Sequence, residues 1–331
     1  MQKNQFGSTD LKISRLTFGC GAVGGLMTKG DATDQDRAVA WARDNGINHF
    51  DTAPSYGDTA SEKNLGRALG ASRGGIVVST KVGIRDEDHG NIAARVRASL
   101  ENSLRRLRQD HVDIFQLHNT LETPSERGRL NSEQVLQEVL PVFEKLRDEG
   151  KIRYLGFTAK GETKALHMLV ESDRLDSTQV FYNMLAPSAG DAILPGYPAQ
   201  DYGRLLGAAK AHGVGTIGVR ILAGGALSGS ERRHPLGNPM VTPIGSSDNY
   251  AVDVARARRF QVLVEAGYAG SLAELAVRYV VSNSSLSTVE IGIATIDELQ
   301  RAAAAVEKGA LPRAVLTEIK AIQDSFIPAE D

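Results

Sequence analysis

Cysteine is nearly missing: Cys20 is the only one in 331 residues. One thiol makes neither an internal disulfide nor a cysteine-built zinc site, so a stapled secreted scaffold is excluded and a reducing compartment is expected. An excess of charge of one sign is missing too. The formal net charge is −2, which offers no pull toward nucleic acid or an anionic membrane. Nowhere is there a run of about 18 apolar residues, the length that reads as a membrane span, and the opening "MQKNQFGSTDLKIS" has no apolar signal core. The expectation is a cytoplasmic protein. What is present is an ordinary globular composition, 41% hydrophobic and 24% charged, enough for a large core.

One glycine-rich stretch invites a nucleotide reading. "FGCGAVGG", residues 18–25, carries G-x-G-x-x-G at Gly19, Gly21 and Gly24 behind a strand-like run. A Rossmann fingerprint also needs a helix opening at the last glycine and an acid roughly 20 residues on. Asp51, at the end of "GINHFD", supplies the acid. The glycines, however, lead into "LMTKGDATDQD", whose Gly30, Asp31 and Asp34 mark a loop and a late helix cap. The fingerprint is half met, and a Rossmann-type dehydrogenase stays as a competing reading.

Along the chain, short apolar or β-branched runs alternate with segments of helical period, the pattern of parallel strands joined by helices. Eight strands are predicted, at 15–19, 47–51, 76–81, 112–118, 153–158, 178–182, 215–219 and 287–292. Between them "DQDRAVAWARDNG" puts Ala38, Trp41 and Ala42 on one helix face, with Gly46 where the helix would stop. "NIAARVRASLENSLRRLRQD", "EVLPVFEKLRDEG", "DYGRLLGAAKAHG" and "SLAELAVRYVVSN" read the same way. "QFGSTDLKIS" joins two short antiparallel strands that could plug one barrel end. Residues 228–250 are too rich in Gly, Pro and Ser for regular structure, as in a lid. No linker interrupts the alternation, so the expected fold is a single α/β domain over 1–331, a (β/α)8 barrel with an N-terminal hairpin plug.

Such barrels gather their chemistry at the C-terminal ends of the strands. Three consecutive predicted strands end in ionisable residues, Asp51, Lys81 and His118, and Tyr56 follows Asp51 by five positions in "DTAPSYG". Singly, each reads as a cap or a charge emerging into solvent. Together they make an acid catalyst for carbonyl reduction: Tyr56 gives a proton, Lys81 lowers the phenol pKa, Asp51 orients Lys81, and His118 either hydrogen-bonds the substrate oxygen or shares in the proton transfer. A hydride from a nicotinamide cofactor would complete the reaction. In a barrel, Gly19, Cys20 and Gly21 then form the first loop beside the nicotinamide.

"HFDTAPSYGDTASEKNLGRALG", followed by "VVSTKVG", "SLRRLRQDHVDIFQLH", "LRDEGKIRYLGFT", "QVFYN" and "LAGGALSG", resembles the aldo-keto reductase superfamily over almost the whole chain. The resemblance implies a catalytic tetrad of Asp51, Tyr56, Lys81 and His118, NADPH, or NADH in some members, as cofactor, and no metal. Cofactor contacts fall on Gly19, Cys20, Gly21, Asp51, Thr158, Gln179, Val219, Arg220, Leu222, Gly225, Gly292, Ala294, Glu298 and Arg301. Glu62 matches a family position but reads more simply as an acid at a helix start.

Departures from the family pattern bear on the cofactor. Thr158 and Ala159 stand where Ser-Asn commonly grips the carboxamide, although Gln179 is kept. Val219 and Arg220 replace the aromatic segment expected under the nicotinamide. Arg220 is either a solvent-exposed charge or a contact to phosphate or a substrate anion. Near the expected adenosine phosphate, Ala294 and Glu298 occupy places where basic and amide groups are common, which leaves Arg301 unless Arg232 or Arg233 folds over the cofactor. The expected activity is NAD(P)H-linked reduction of aldehydes or ketones, or the reverse oxidation. The alternative is a nicotinamide-binding regulatory subunit of the same fold.

Overall fold

Strands covered on both faces can be largely apolar, and the predicted runs are mainly apolar or β-branched, with polar residues interspersed in several of them. The structure is a computed structural model that describes residues 1–71, 73–124, 130–241, 247 and 249–327. Eight parallel strands close into a barrel: β3 (Leu16–Gly19), β4 (His49–Asp51), β5 (Val77–Val82), β6 (Val112–Leu117), β7 (Ile152–Ala159), β8 (Ser177–Phe181), β9 (Gly215–Val219) and β10 (Thr288–Gly292). Each pairs with the next in sequence, and β10 pairs with both β9 and β3. β1 (Lys3–Gln5) and β2 (Lys12–Ser14) form the antiparallel hairpin. The hairpin turn lies against the start of β9: Phe6 is fully buried, its ring fills the space a side chain at Gly215 would need, and Ser8 N donates to Gly213 O at 2.7 Å.

β4 is shorter than the predicted run: Asn48 O still accepts from Val77 N at 2.7 Å, but the residue is also tied to Ser14. Its Oδ1 accepts from Ser14 N at 2.7 Å, and its own N donates to Ser14 Oγ at 3.1 Å. Helices follow the strands with small shifts of boundary. Ala32–Asp44 buries Ala38, Val39 and Ala42, and Gly46 ends that segment at φ +77. Ile92–Leu107 and Leu272–Val281 carry the other two longest predicted helical runs. Between Ala223–Ser228, a 3-10 turn, and Tyr250–Arg258, an α-helix, runs the predicted lid, of which 242–246 and 248 lie outside the described residues. Among the described residues no helix is long and apolar enough to cross a membrane.

The glycines of "FGCGAVGG" serve close packing at the barrel seam. A Cβ on Gly24 would stand 2.2 Å from Ile293 N, just past β10, and one on Gly19 would stand 2.6 Å from Ile291 O. A four-residue helix, Leu26–Lys29, follows, with Gly25 at φ +89 before it. The first loop is thus shaped by contact with the last strand, which is a barrel's constraint rather than a dinucleotide fold's.

Inside the barrel a polar chain replaces apolar packing. Thr288 Oγ1 and Thr17 Oγ1 are 2.8 Å apart, Thr17 Oγ1 is 2.8 Å from His49 Nδ1, His49 Nε2 is 3.0 Å from Ser79 Oγ, and Ser79 Oγ donates to Asp51 Oδ1 at 2.5 Å. All five side chains are buried. Because Ser79 spends its proton on Asp51, His49 must donate from Nε2 and accept at Nδ1 from Thr17. On the outer side of β5, Glu62 is buried on the helix Ala60–Leu69, where Oε1 accepts from Thr80 Oγ1 at 2.6 Å and Oε2 pairs with Arg106 Nε at 2.5 Å. Glu62 stands in the first turn of that helix, as its reading as a helix-start acid expects, and its carboxylate is in addition a buried tie between two helices and β5.

Two stability predictions follow from these ties. Removing the acid in Glu62→Ala strands a largely buried guanidinium, so the variant should lose about 3–5 kcal/mol in urea denaturation. His49, pushed down from 6.5 to about 4 first by burial, opposed by Asp51 and aided by Lys81, stays neutral in the folded state while the unfolded chain takes up a proton below pH 6.5. Stability from this histidine is therefore lost as pH falls from 6.5 toward about 4, by up to about 1.4 kcal/mol per pH unit. His49→Asn should flatten that slope, and a variant with the wild-type slope would show that His49 binds its proton in the fold.

Candidate active site

Asp51 ends β4 and Lys81 lies one residue before the end of β5, and both side chains are fully buried. Lys81 Nζ donates to Asp51 Oδ2, and to Thr52 O at 2.8 Å. A charge in a barrel interior persists only when paired and hydrogen-bonded, and here the carboxylate also receives Ser79 while the ammonium receives a backbone carbonyl. Burial would lower the Lys81 pKa, but Asp51, Tyr56 and Glu290 together hold it above its ordinary value, so it stays charged.

Tyr56 stands on the turn after β4, half-buried, with its ring over Gly21, where a Cβ would meet Cε2 at 3.7 Å. Lys81 Nζ is 4.9 Å from the centre of that ring. The ring of His118, the residue after β6, meets Tyr56 edge-on, with centroids 6.0 Å apart and planes at 89°. His118 N is anchored on Val82 O at 2.8 Å. The four candidate catalytic residues are thus brought together at the C-terminal end of β4, β5 and β6.

Burial pushes the Tyr56 phenol above its ordinary range; Lys81 pulls it down, while Asp51 and Glu290 push it up again. Lys81 thus acts on the phenol in the expected direction. The lysine offsets a burial penalty that still prevails, and Tyr56 keeps its proton at neutral pH. Burial first, then Lys81, bring His118 down to about 4, so its imidazole is neutral at pH 7 and has one N–H to donate.

The expected cofactor residues fall into groups. Thr158 and Gln179, both buried, face one another across β7 and β8: Thr158 Oγ1 donates to Gln179 Oε1 at 3.3 Å. Gln179 Nε2 donates to Glu290 Oε2 at 3.0 Å. The Cys20 thiol is buried over Phe18 O at 3.8 Å. Val219 ends β9, and Arg220 follows at φ +56. Arg220 is not the solvent-exposed charge of one reading: it is half-buried, and its guanidinium has no hydrogen bond or ion pair to a described residue. Burial lowers its pKa, with Tyr56 and Glu290 opposing and Arg233 adding to the fall.

Leu222 and Gly225 belong to the tight turn past β9, where Arg233 Nη1 donates to Gly224 O at 2.6 Å and the guanidinium lies 4.0 Å from the centre of the Tyr250 ring. Gly292 closes β10 beside Gly24. Glu298 turns back on the start of its own helix, Ile296–Lys308, accepting from Ala294 N at 2.7 Å, and Arg301 rests on Asp297 O at 3.3 Å. No described group of three or more His, Cys, Asp or Glu side chains is placed to hold a metal ion.

Sequence reasoning missed Glu290, together with the supporting His49, Ser79, Thr17 and Thr288. The signal was an alternation within "TVEIG": Val289 and Ile291 pack in the core, while Thr288 and Glu290 face the barrel interior.

Comparison with known proteins agrees with this geometry. A model of the Aldo/keto reductase family matches residues 15–324. L-galactose dehydrogenase of Arabidopsis thaliana is 32% identical over 96% of this chain and 92% of its own length. A probable voltage-gated potassium channel subunit beta from the same plant is 26% identical over 93% and 92%. The solved glycerol dehydrogenase of Gluconobacter oxydans superposes with a TM-score of 0.73 at 26% identity, covering 100% of this chain and 97% of that one. With the eight-stranded closed barrel and a family match over nearly its whole length, the chain belongs to the aldo/keto reductase family of oxidoreductases.

Proposed function

We propose that the protein reduces the carbonyl of a small aldehyde or ketone, or oxidises the corresponding alcohol or aldose, with Tyr56 Oη moving the proton and a nicotinamide cofactor completing the reaction. The observation that carries this reading is the fully buried Lys81–Asp51 pair set against the Tyr56 ring, which His118 meets edge-on. A bound nicotinamide cofactor supplies or takes up the hydride, which no side chain can do. In reduction, Tyr56 Oη gives its proton to the substrate oxygen, and the Lys81 ammonium stabilises the phenolate left behind. Asp51 keeps that ammonium in place, and the His118 N–H orients the oxygen. In oxidation the same atoms return the proton.

The residues present fit such a cofactor. Thr158 and Gln179 offer a hydroxyl and an amide at adjacent strand ends, suited to a carboxamide. Arg220 holds a half-buried guanidinium with no partner among the described residues, suited to a phosphate or a substrate anion. The names L-galactose dehydrogenase and glycerol dehydrogenase among its relatives support a polyhydroxylated substrate. A regulatory, cofactor-binding role has its own support in the channel-subunit relative, and turnover separates the two readings.

Tyr56→Phe should bind cofactor as the wild type does and lose more than tenfold in turnover, about 1.4 kcal/mol of barrier. A variant that keeps its rate on a good aldehyde would remove Tyr56 as the acid.

Cofactor choice gives a second test. Arg301 lies on its own helix, Arg233 on Gly224 O, and the Glu298 carboxylate caps the segment where a 2′-phosphate would need cations. NADH should therefore bind within about tenfold of NADPH. Titrations at two salt concentrations check this, and a preference for NADPH of about a hundredfold that weakens with salt would show that one of the arginines closes over the phosphate.

A further inference from the structure

Glu290 is a carboxyl that the proposed chemistry does not use. It projects from β10 into the barrel, reaching past β9 to accept from Gln179 Nε2 of β8 at 3.0 Å. Gly19 makes the room: a Cβ there would stand 2.9 Å from Glu290 Oε1, so a larger residue at 19 would displace the acid. No described lysine, arginine or histidine forms an ion pair with Glu290, and Lys81 is paired with Asp51.

The groups that act on Glu290 come from several elements. They are Asp51 of β4, Tyr56 after it, Lys81 of β5, Gln179 of β8, Arg220 after β9, and the Cys20 thiol after β3. Burial and the neighbouring Asp51, which also shares a hydrogen bond with it, push the Glu290 carboxyl well above the usual range, with Lys81 and Arg220 pulling the other way, a balance that favours the protonated form. A carboxyl whose pKa its surroundings raise is driven to ionise when a cation is placed beside it. The oxidised nicotinamide ring carries a positive charge that the reduced ring lacks, and Gln179, the expected carboxamide ligand, is one hydrogen bond from Glu290.

We propose that Glu290 discriminates between the oxidised and reduced forms of the cofactor, its carboxylate favouring the positively charged ring. This rests on the nicotinamide reading above. On binding the oxidised form, the Glu290 O–H bond breaks and the proton leaves to solvent. The reduced form binds with the proton in place. Gln179 keeps its partner in either state, since a neutral carboxyl still offers a carbonyl oxygen to Nε2. The site is thereby biased toward holding oxidised cofactor, increasingly so as pH rises.

The test is calorimetric titration of the wild type and Glu290→Gln with NAD+ and NADH, in two buffers of different ionisation enthalpy and at several pH values. In the wild type, NAD+ should release a proton and NADH none, and NAD+ affinity should climb with pH, by at most about tenfold per unit. Glutamine keeps an acceptor for Gln179 but cannot ionise, so Glu290→Gln should release no proton. Its NAD+ affinity should fall about tenfold, while NADH binding stays within about twofold. An unchanged NAD+ to NADH affinity ratio in the variant would overturn the proposal. The absence of proton release in the wild type would overturn it too, and that measurement stands even if the variant does not fold. A wild type that binds neither cofactor would sink the nicotinamide reading together with the role of Glu290. Tight binding of both, with an indifferent variant, would remove Glu290 alone.

Discussion

The Lys81–Asp51 pair is the constraint around which the barrel interior is arranged. Two opposite charges with no exposure lose several kcal/mol each in hydration, which their mutual attraction offsets only when the remaining donors and acceptors are satisfied. Ser79 and the carbonyl of Thr52 meet that condition directly, and His49, Thr17 and Thr288 hold Ser79 in the orientation that donates to Asp51. A layer that would otherwise be packed with branched apolar side chains is therefore polar. From outside, Glu62 fixes Thr80, the neighbour of Lys81, so β5 is held on both faces at the position that matters most.

Closure of the barrel supplies the second half of the site. β10 must approach β3 closely enough for parallel pairing from Leu16 to Gly19, and the glycines at 19 and 24 permit that approach because any Cβ there would strike the backbone of 291–293. The same close contact places Glu290 against Gly19 and within reach of Gln179. Residues almost the whole chain apart thus meet at one seam. The glycine-rich stretch that resembles a phosphate loop in isolation serves as the seam's packing surface.

Much of this was legible beforehand. The eight strands stand out because each is covered on both faces, and the ionisable residues at the ends of β4, β5 and β6 are conspicuous after apolar runs. The structure adds the balance among them. Burial raises the Tyr56 phenol more than Lys81 lowers it, and only the enclosure of the pocket sets that balance. Glu62 and Glu290 were hidden for a related reason: an acid on a helix or in a strand looks like a surface charge until the packing shows which way it faces. Arg220 was open between two readings, and its half-buried guanidinium, with no partner among the described residues, removes the solvent-exposed one.

Local order determined the alternation of strand and helix, the positions of turns such as Gly46, and the spacing that sets Tyr56 just past Asp51. These depend on periodicity and backbone preference within a few residues, which a sequence carries on its face. Tertiary structure decided what depends on long-range register: the direction of the proton-ordered chain from Thr288 to Asp51, the meeting of Gln179 with Glu290, and the protonation state of each group in the pocket. Those follow from desolvation and from contacts between strands that are distant in the chain, and neither exists until the barrel has closed.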